Sequence, residues 1–170
     1  MNYIYKVLLT LNATFWMVII YLVKEGKTIF SLPIWAFDFV LVSIPVLLSV
    51  LTLVLSKKFG KETIKGCQEF SLADNEFLPI YLGYFFVSLS VSNCYTMGIV
   101  YSIVFIFTFL SQTQYFNPIF LLFGYHYYHV LTLKGTRIFV ISKGKVIRSR
   151  EEMYFENLRR INDTTFIERR

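Results

Sequence analysis

Across the 57 residues from Phe77 to Leu133 the sequence contains no Asp, Glu, Lys or Arg. As one helix this run would rise about 85 Å against a hydrocarbon core of roughly 30 Å, so it must fold back on itself inside a bilayer. At least two spans are expected there, with the turn at Ser88–Asn93, where small polar residues interrupt the apolar run. Cysteine is nearly absent. Cys67 and Cys94 are the only two, and the topology argued below places them on opposite sides of the membrane, which excludes a disulfide within one chain and leaves two inert thiols. His126 and His129 are the only histidines, and as an HxxH pair they lack the third and fourth ligands of a zinc site. Packing at the interface beside Tyr125, Tyr127 and Tyr128 is favoured for them over metal binding or pH sensing. Missing too are a GxxxxGK[ST] phosphate loop, a GxSxG nucleophile turn and a zincin helix. Neither an enzyme nor a cofactor is expected.

The composition is 55% hydrophobic, 19% aromatic and 16% charged, the balance of a membrane protein, and the net charge of +6 gathers at the ends of apolar runs. Attraction to anionic headgroups explains that placement, so no direct nucleic-acid binding is expected. Val7 to Val23, between Lys6 and Lys24, reads as a first span that is retained, since no small-x-small cleavage site precedes Lys24. Ile34 to Leu55 is the second, anchored by Trp35 and bent at Pro45, where a fixed bend satisfied by neighbouring helices is commoner than a hinge. Asp38 is the only acid inside an apolar run; lying one turn from Trp35, it reads as solvated at the interface rather than as an ion, proton or subunit-contact site. Phe77 to about Val91 and Tyr95 to Leu110 are the third and fourth spans, both short. Ser88 with Ser92 and Gly98 with Ser102 recur at four-residue spacing and suit close helix packing, while a pore reading would place Asp38, Ser88, Ser92 and Asn93 along a path.

The segment Ser56–Glu76 carries four Lys and four acids, with Glu62, Lys65 and Glu69 spaced to share a helix face. From Val130 the period changes to two, with Gly-containing turns at Lys134–Gly135 and Ser142–Lys145, which predicts a β-meander of about three strands ending at Val146–Arg148. So small a unit needs partners, either the residues after Glu151, another subunit or the membrane end of the bundle. The basic residues Lys134, Arg137, Lys143, Lys145, Arg148 and Arg150 suit either headgroup contact or docking of a cytoplasmic protein. The loop from Lys57 to Lys65 and the tail hold 14 of the 17 Lys and Arg, so both belong on the cytoplasmic side. The expectation is an all-α transmembrane bundle of four spans over residues 1–129, both termini cytoplasmic, followed by a small cytoplasmic β-meander tail over residues 130–170.

The run Gly124-Tyr125-His126-Tyr127-Tyr128-His129-Val130, continuing through Lys134-Gly135-Thr136-Arg137-Ile138-Phe139-Val140-Ile141-Ser142-Lys143, resembles the membrane subunit of the Kiwa anti-phage defence system, the KwaA-type proteins. The resemblance implies a bacterial inner-membrane sensor that assembles as a homo-oligomer, a tetramer, and detects the envelope disturbance caused by a phage. It implies a cytoplasmic partner of the KwaB type, a DNA-binding effector, with this chain as sensor and scaffold. The alternative class is a small channel or pore-forming effector that depolarises the membrane.

Overall fold

The computed structural model describes residues 3–26, 28, 33–111, 115–144, 146–147 and 154–168. Among the described residues the chain runs through two α-helices, two strands, three α-helices and four strands, and the strands join one mixed sheet. The chain divides into a helical unit, Asn2–Thr52 with Phe77–Asn117, and a sheet unit, Leu53–Glu76 with Pro118–Arg170.

In the helical unit, α1 (Tyr3–Glu25) is the central and most buried helix. Its Met17 and Tyr21 pack against Val91 and Met97, where α3 (Phe77–Ser90) turns into α4 (Cys94–Ser111). On another side, its Ile19 packs on Phe37 and Leu41 of α2 (Ile34–Leu55). Helices pack closely in a membrane where side chains are small or hydrogen-bonded to a neighbour. Ser88 does both, donating to the Met17 carbonyl at 2.8 Å with its own surface wholly buried. The α3–α4 turn is fixed by Asn93, whose side chain accepts the Thr96 N–H at 2.8 Å as a helix cap, and by the Lys24 ammonium, which donates to the Val91 carbonyl.

The expectation of an all-α bundle of four spans does not survive. Three helices, α1, α2 and α4, are long and apolar enough to cross a membrane, whereas α3 has 14 residues and rises only about 21 Å. The residues expected to form a short tail belong to a six-stranded sheet that also recruits the segment between α2 and α3.

That sheet has the order β1-β5-β6-β4-β3-β2, built from β1 (Lys61–Lys65), β2 (Cys67–Leu72), β3 (Tyr125–Thr132), β4 (Arg137–Lys143), β5 (Tyr154–Arg160) and β6 (Thr165–Glu168). All pairs are antiparallel except β4 with β6. The edge strands β1 and β2 are separated by one residue, Gly66, at φ 74°. A flat sheet would hold its edges about 24 Å apart, and one linking residue spans only about 7 Å. The sheet therefore curls until its edges meet at Gly66, and irregular register on both sides, at Glu62/Ile64 and Cys67/Glu69, supplies the bend. Every strand points into one core: Ile64, Phe70, Tyr128, Val140, Phe155 and Phe166. With β1 and β2 taken as one bent strand, this is a five-stranded Greek-key barrel with the strand order of the OB type.

The charged segment expected to expose Glu62, Lys65 and Glu69 on a helix is therefore two edge strands. Edge strands carry polar residues because one side of each lacks a partner, and the irregular register leaves Ile64, Cys67 and Phe70 three residues apart, so no period of two marks these strands. The hairpin at Lys134–Gly135 forms as expected, with Gly135 at φ 78° between β3 and β4. The third strand expected at Val146–Arg148 does not: Val146 and Ile147 form no strand, and Ile147 donates its N–H to the buried Tyr128 hydroxyl at 3.0 Å. Arg148 lies outside the described residues.

Candidate functional site at the root of the α3–α4 hairpin

The chain leaves the barrel after β2, runs through α3 and α4, and returns through a short helix, α5 (Pro118–Leu122), into β3. Since β2 and β3 are hydrogen-bonded neighbours, the whole excursion springs from one junction. Four interactions pin the departing turn, residues 73–76, onto β3. The Ala73 N–H donates to the Tyr127 carbonyl at 2.8 Å, and the Tyr127 N–H donates to Asp74 Oδ1 at 2.7 Å. The other Asp74 oxygen, Oδ2, lies 2.6 Å from His126 Nδ1. Glu76 then holds His129 Nε2 with both oxygens at 3.0 Å. An ionised carboxylate only accepts, so Nδ1 of His126 and Nε2 of His129 each carry a proton. The returning segment is fixed to the same strand, with the Phe120 ring 5.9 Å from that of Tyr125 and Gly124 at φ 74° making the turn.

Strand alternation sends the two histidines to opposite faces of β3, and both find a carboxylate from one turn. They serve as fasteners, which composition did not reveal. The readable signal was that Asp74 and Glu76 are the last acids before the uncharged run, flanking a turn-forming Asn75. The two pairs differ in strength. Asp74 and His126 are mostly shielded, while His129 and Glu76 are 35% and 46% exposed, where an ion pair contributes little. Beside His129 a groove of about 350 Å³ opens between Glu69, Ser71, Leu131 and Arg137.

The other expected residues are dispersed. Arg137 and Lys134 are exposed at the two ends of the β3–β4 turn, and Lys134 borders a second cleft of about 420 Å³ at the barrel mouth with Arg160 and Asp163. Lys143 is exposed with its ammonium 5.7 Å above the Tyr125 ring. Lys145, Arg148 and Arg150 lie outside the described residues. In the helical unit, Asp38 is half-buried on α2, and Pro45 offers its carbonyl to Ser49 Oγ at 2.6 Å without ending the helix. Ser92, Gly98 and Ser102 are exposed, and the Ser102 hydroxyl bonds back to the Gly98 carbonyl at 2.7 Å, so among the described residues that pair packs against no other helix. Among the described residues no hydrogen bond or ion pair links Asp38, Ser88, Ser92 and Asn93 to one another. Polar groups do meet elsewhere in the helices: buried Ser49 accepts from Asn117 Nδ2 at 2.7 Å and lies 3.2 Å from Asn12 Oδ1. Sequence reasoning passed over this trio because single Asn and Ser residues in apolar runs carry no spacing signal.

Among the described residues no three His, Cys, Asp or Glu side chains gather closely enough to hold a metal. The stacked rings of Tyr127 and Phe139, on the barrel's outer face, are 0% and 4% exposed.

A family model described as "Anti-phage protein KwaA" matches residues 5–167. The chain belongs to the KwaA family. The match covers both the helices and the barrel, so the insertion of the hairpin between β2 and β3 lies wholly within the family's span. No curated protein and no solved structure matches the chain.

Proposed function

We propose that this KwaA-family chain is the membrane-embedded sensor and scaffold of its anti-phage system. In this reading the α3–α4 hairpin registers a disturbance of the bacterial inner membrane, and the barrel passes the change to a cytoplasmic effector of the KwaB type. The observation that carries the reading is the insertion of the hairpin between two paired strands of the barrel. Residues 72 and 125 are bound to one sheet, so the excursion between them enters the membrane and leaves it on the same side. α1 and α2, both long and apolar enough to cross, form an out-and-back pair, which returns the amino terminus, the residues 56–76 and the carboxy-terminal barrel to one side. The density of Lys and Arg in those segments favours the cytoplasm for that side.

The hairpin enters the bilayer on a 14-residue α3 that is about 9 Å short of the hydrocarbon thickness and too short to span it. Mismatch costs fractions of a kcal/mol per Å, so the hairpin stores on the order of a few kcal/mol that changes with local bilayer thickness. That is the scale of a two-state population shift. Any tilt of α3 pulls on the 73–76 turn, which the two histidines fasten to β3. The exposed apolar residues of α4, among them Ile99, Ile103 and Phe107, give the surface for lipid or for further copies in a homo-oligomer.

The test is phage plating on bacteria carrying the native locus, intact or lacking only this chain, while membrane potential is recorded. Protection that disappears on deletion, with potential preserved during infection of the intact strain, supports a sensor acting through a partner. Protection accompanied by depolarisation would replace this reading with a pore.

A further inference from the structure

Lys6 lies in the first turn of α1, yet its side chain is 7% exposed and shielded by protein. Its ammonium sits 4.3 Å above the Phe109 ring of α4, and among the described residues it makes no hydrogen bond or ion pair. A ring face offsets only part of the cost of taking an ammonium out of water. One helical turn further, Thr10 donates its hydroxyl to the Lys6 carbonyl at 2.9 Å. Beside Thr10 stands Tyr115, 2% exposed, whose hydroxyl has no hydrogen-bond partner. Burial pushes that phenol's pKa up, and the nearby Thr10 hydroxyl, which does not reach hydrogen-bond geometry with it, offsets only part of the rise, so it remains a proton donor at neutral pH. Two shielded donors thus border one face of α1, at a helix end that carries partial positive charge and has no acid in its first turn.

We propose that Lys6 and Tyr115 form a binding site for a phosphate group. A phosphate offers several acceptor oxygens and negative charge, which satisfies an ammonium and a phenol together. Its placement favours a phospholipid headgroup: the first turn of a spanning helix lies at headgroup depth, and Ile4, Val7 and Leu110 around it are exposed apolar surface for acyl chains.

The experiment uses the full chain in nanodiscs of phosphatidylcholine with or without phosphatidylglycerol, followed by native mass spectrometry of retained lipid. Retention of phosphatidylglycerol is expected to fall about tenfold or more in Lys6→Met, to return in Lys6→Arg and to fall several-fold in Tyr115→Phe. Tyr115→Phe keeps the ring, so it reads the site even where Lys6→Met fails to fold. A parallel titration of lipid-free protein with inorganic phosphate identifies the source. Stabilisation by phosphate that Lys6→Met removes, with no selective lipid retention, assigns the site to a free anion. Equal lipid retention in all variants together with no response to phosphate overturns the proposal.

Discussion

Replacing Asp74 by Ala removes two hydrogen bonds at once: the one from His126 Nδ1 at 2.6 Å and the one from the Tyr127 N–H at 2.7 Å. The second loss dominates. Tyr127 is 0% exposed, so its amide is left without water or acceptor at a cost of about 1–3 kcal/mol, and the lost charge-assisted bond adds about 1 kcal/mol after exchange with solvent. Opening of the 73–76 turn should therefore become easier by roughly 2–4 kcal/mol, between ~30-fold and ~700-fold in amide exchange at residues 73–76 and 126–128. Asp74→Asn retains an acceptor for Tyr127 and should lose only about 1 kcal/mol. Glu76→Ala, at a pair left half-open to solvent, should change the same rates by less than about fivefold. Hydrogen exchange of the three variants in nanodiscs reads all of this directly. Equal protection in Asp74→Ala and Glu76→Ala would refute the claim that the shielded half of the fastening carries the load.

Further outcomes follow from the same geometry. Ser88→Phe should separate α1 from α3 and lower thermal stability markedly, whereas Ser88→Ala loses one interhelical bond, about 0.6 kcal/mol, and is measured in the same melts. Gly135→Val places a branched side chain at φ 78° and should destabilise the barrel by about 1–2 kcal/mol, seen as a lower denaturant midpoint. Cys67, in the barrel, should react with an impermeant thiol reagent only after the cells are permeabilised; labelling in intact cells would invert the proposed topology. Inserting one apolar turn into α3 should relieve its mismatch and shift the threshold of phage protection without lowering the amount of chain in the membrane.

The helices were largely legible because charge and capping mark their ends. Ile34 to Leu55 reappears as α2, and the turn expected at Ser88–Asn93 ends α3 and caps α4. The β3–β4 hairpin was legible through its period of two and its Lys134–Gly135 turn. The barrel was not. Its closing strands β1 and β2 are edges, where charge replaces alternation, and β5 and β6 follow a connection whose pairing depends on contacts far along the chain, such as Phe139 with Thr165. The site was half visible: His126 and His129 stood out as the only histidines, but strand geometry separates them, and their carboxylates come from a turn more than fifty residues earlier. A long insertion between paired strands breaks the local rule that neighbours in sequence pair in space, and here that insertion is the element assigned to the membrane.

The central claim is that the membrane hairpin speaks to the barrel through its root. It is tested most directly by phage plating on bacteria whose native locus carries Asp74→Ala, with chain abundance and membrane potential followed in the same cultures. The account predicts that protection falls sharply while abundance and resting potential stay at wild-type levels, and that Glu76→Ala protects nearly as well as wild type. Full protection by Asp74→Ala, in a protein whose 73–76 turn exchanges as fast as predicted, would contradict it.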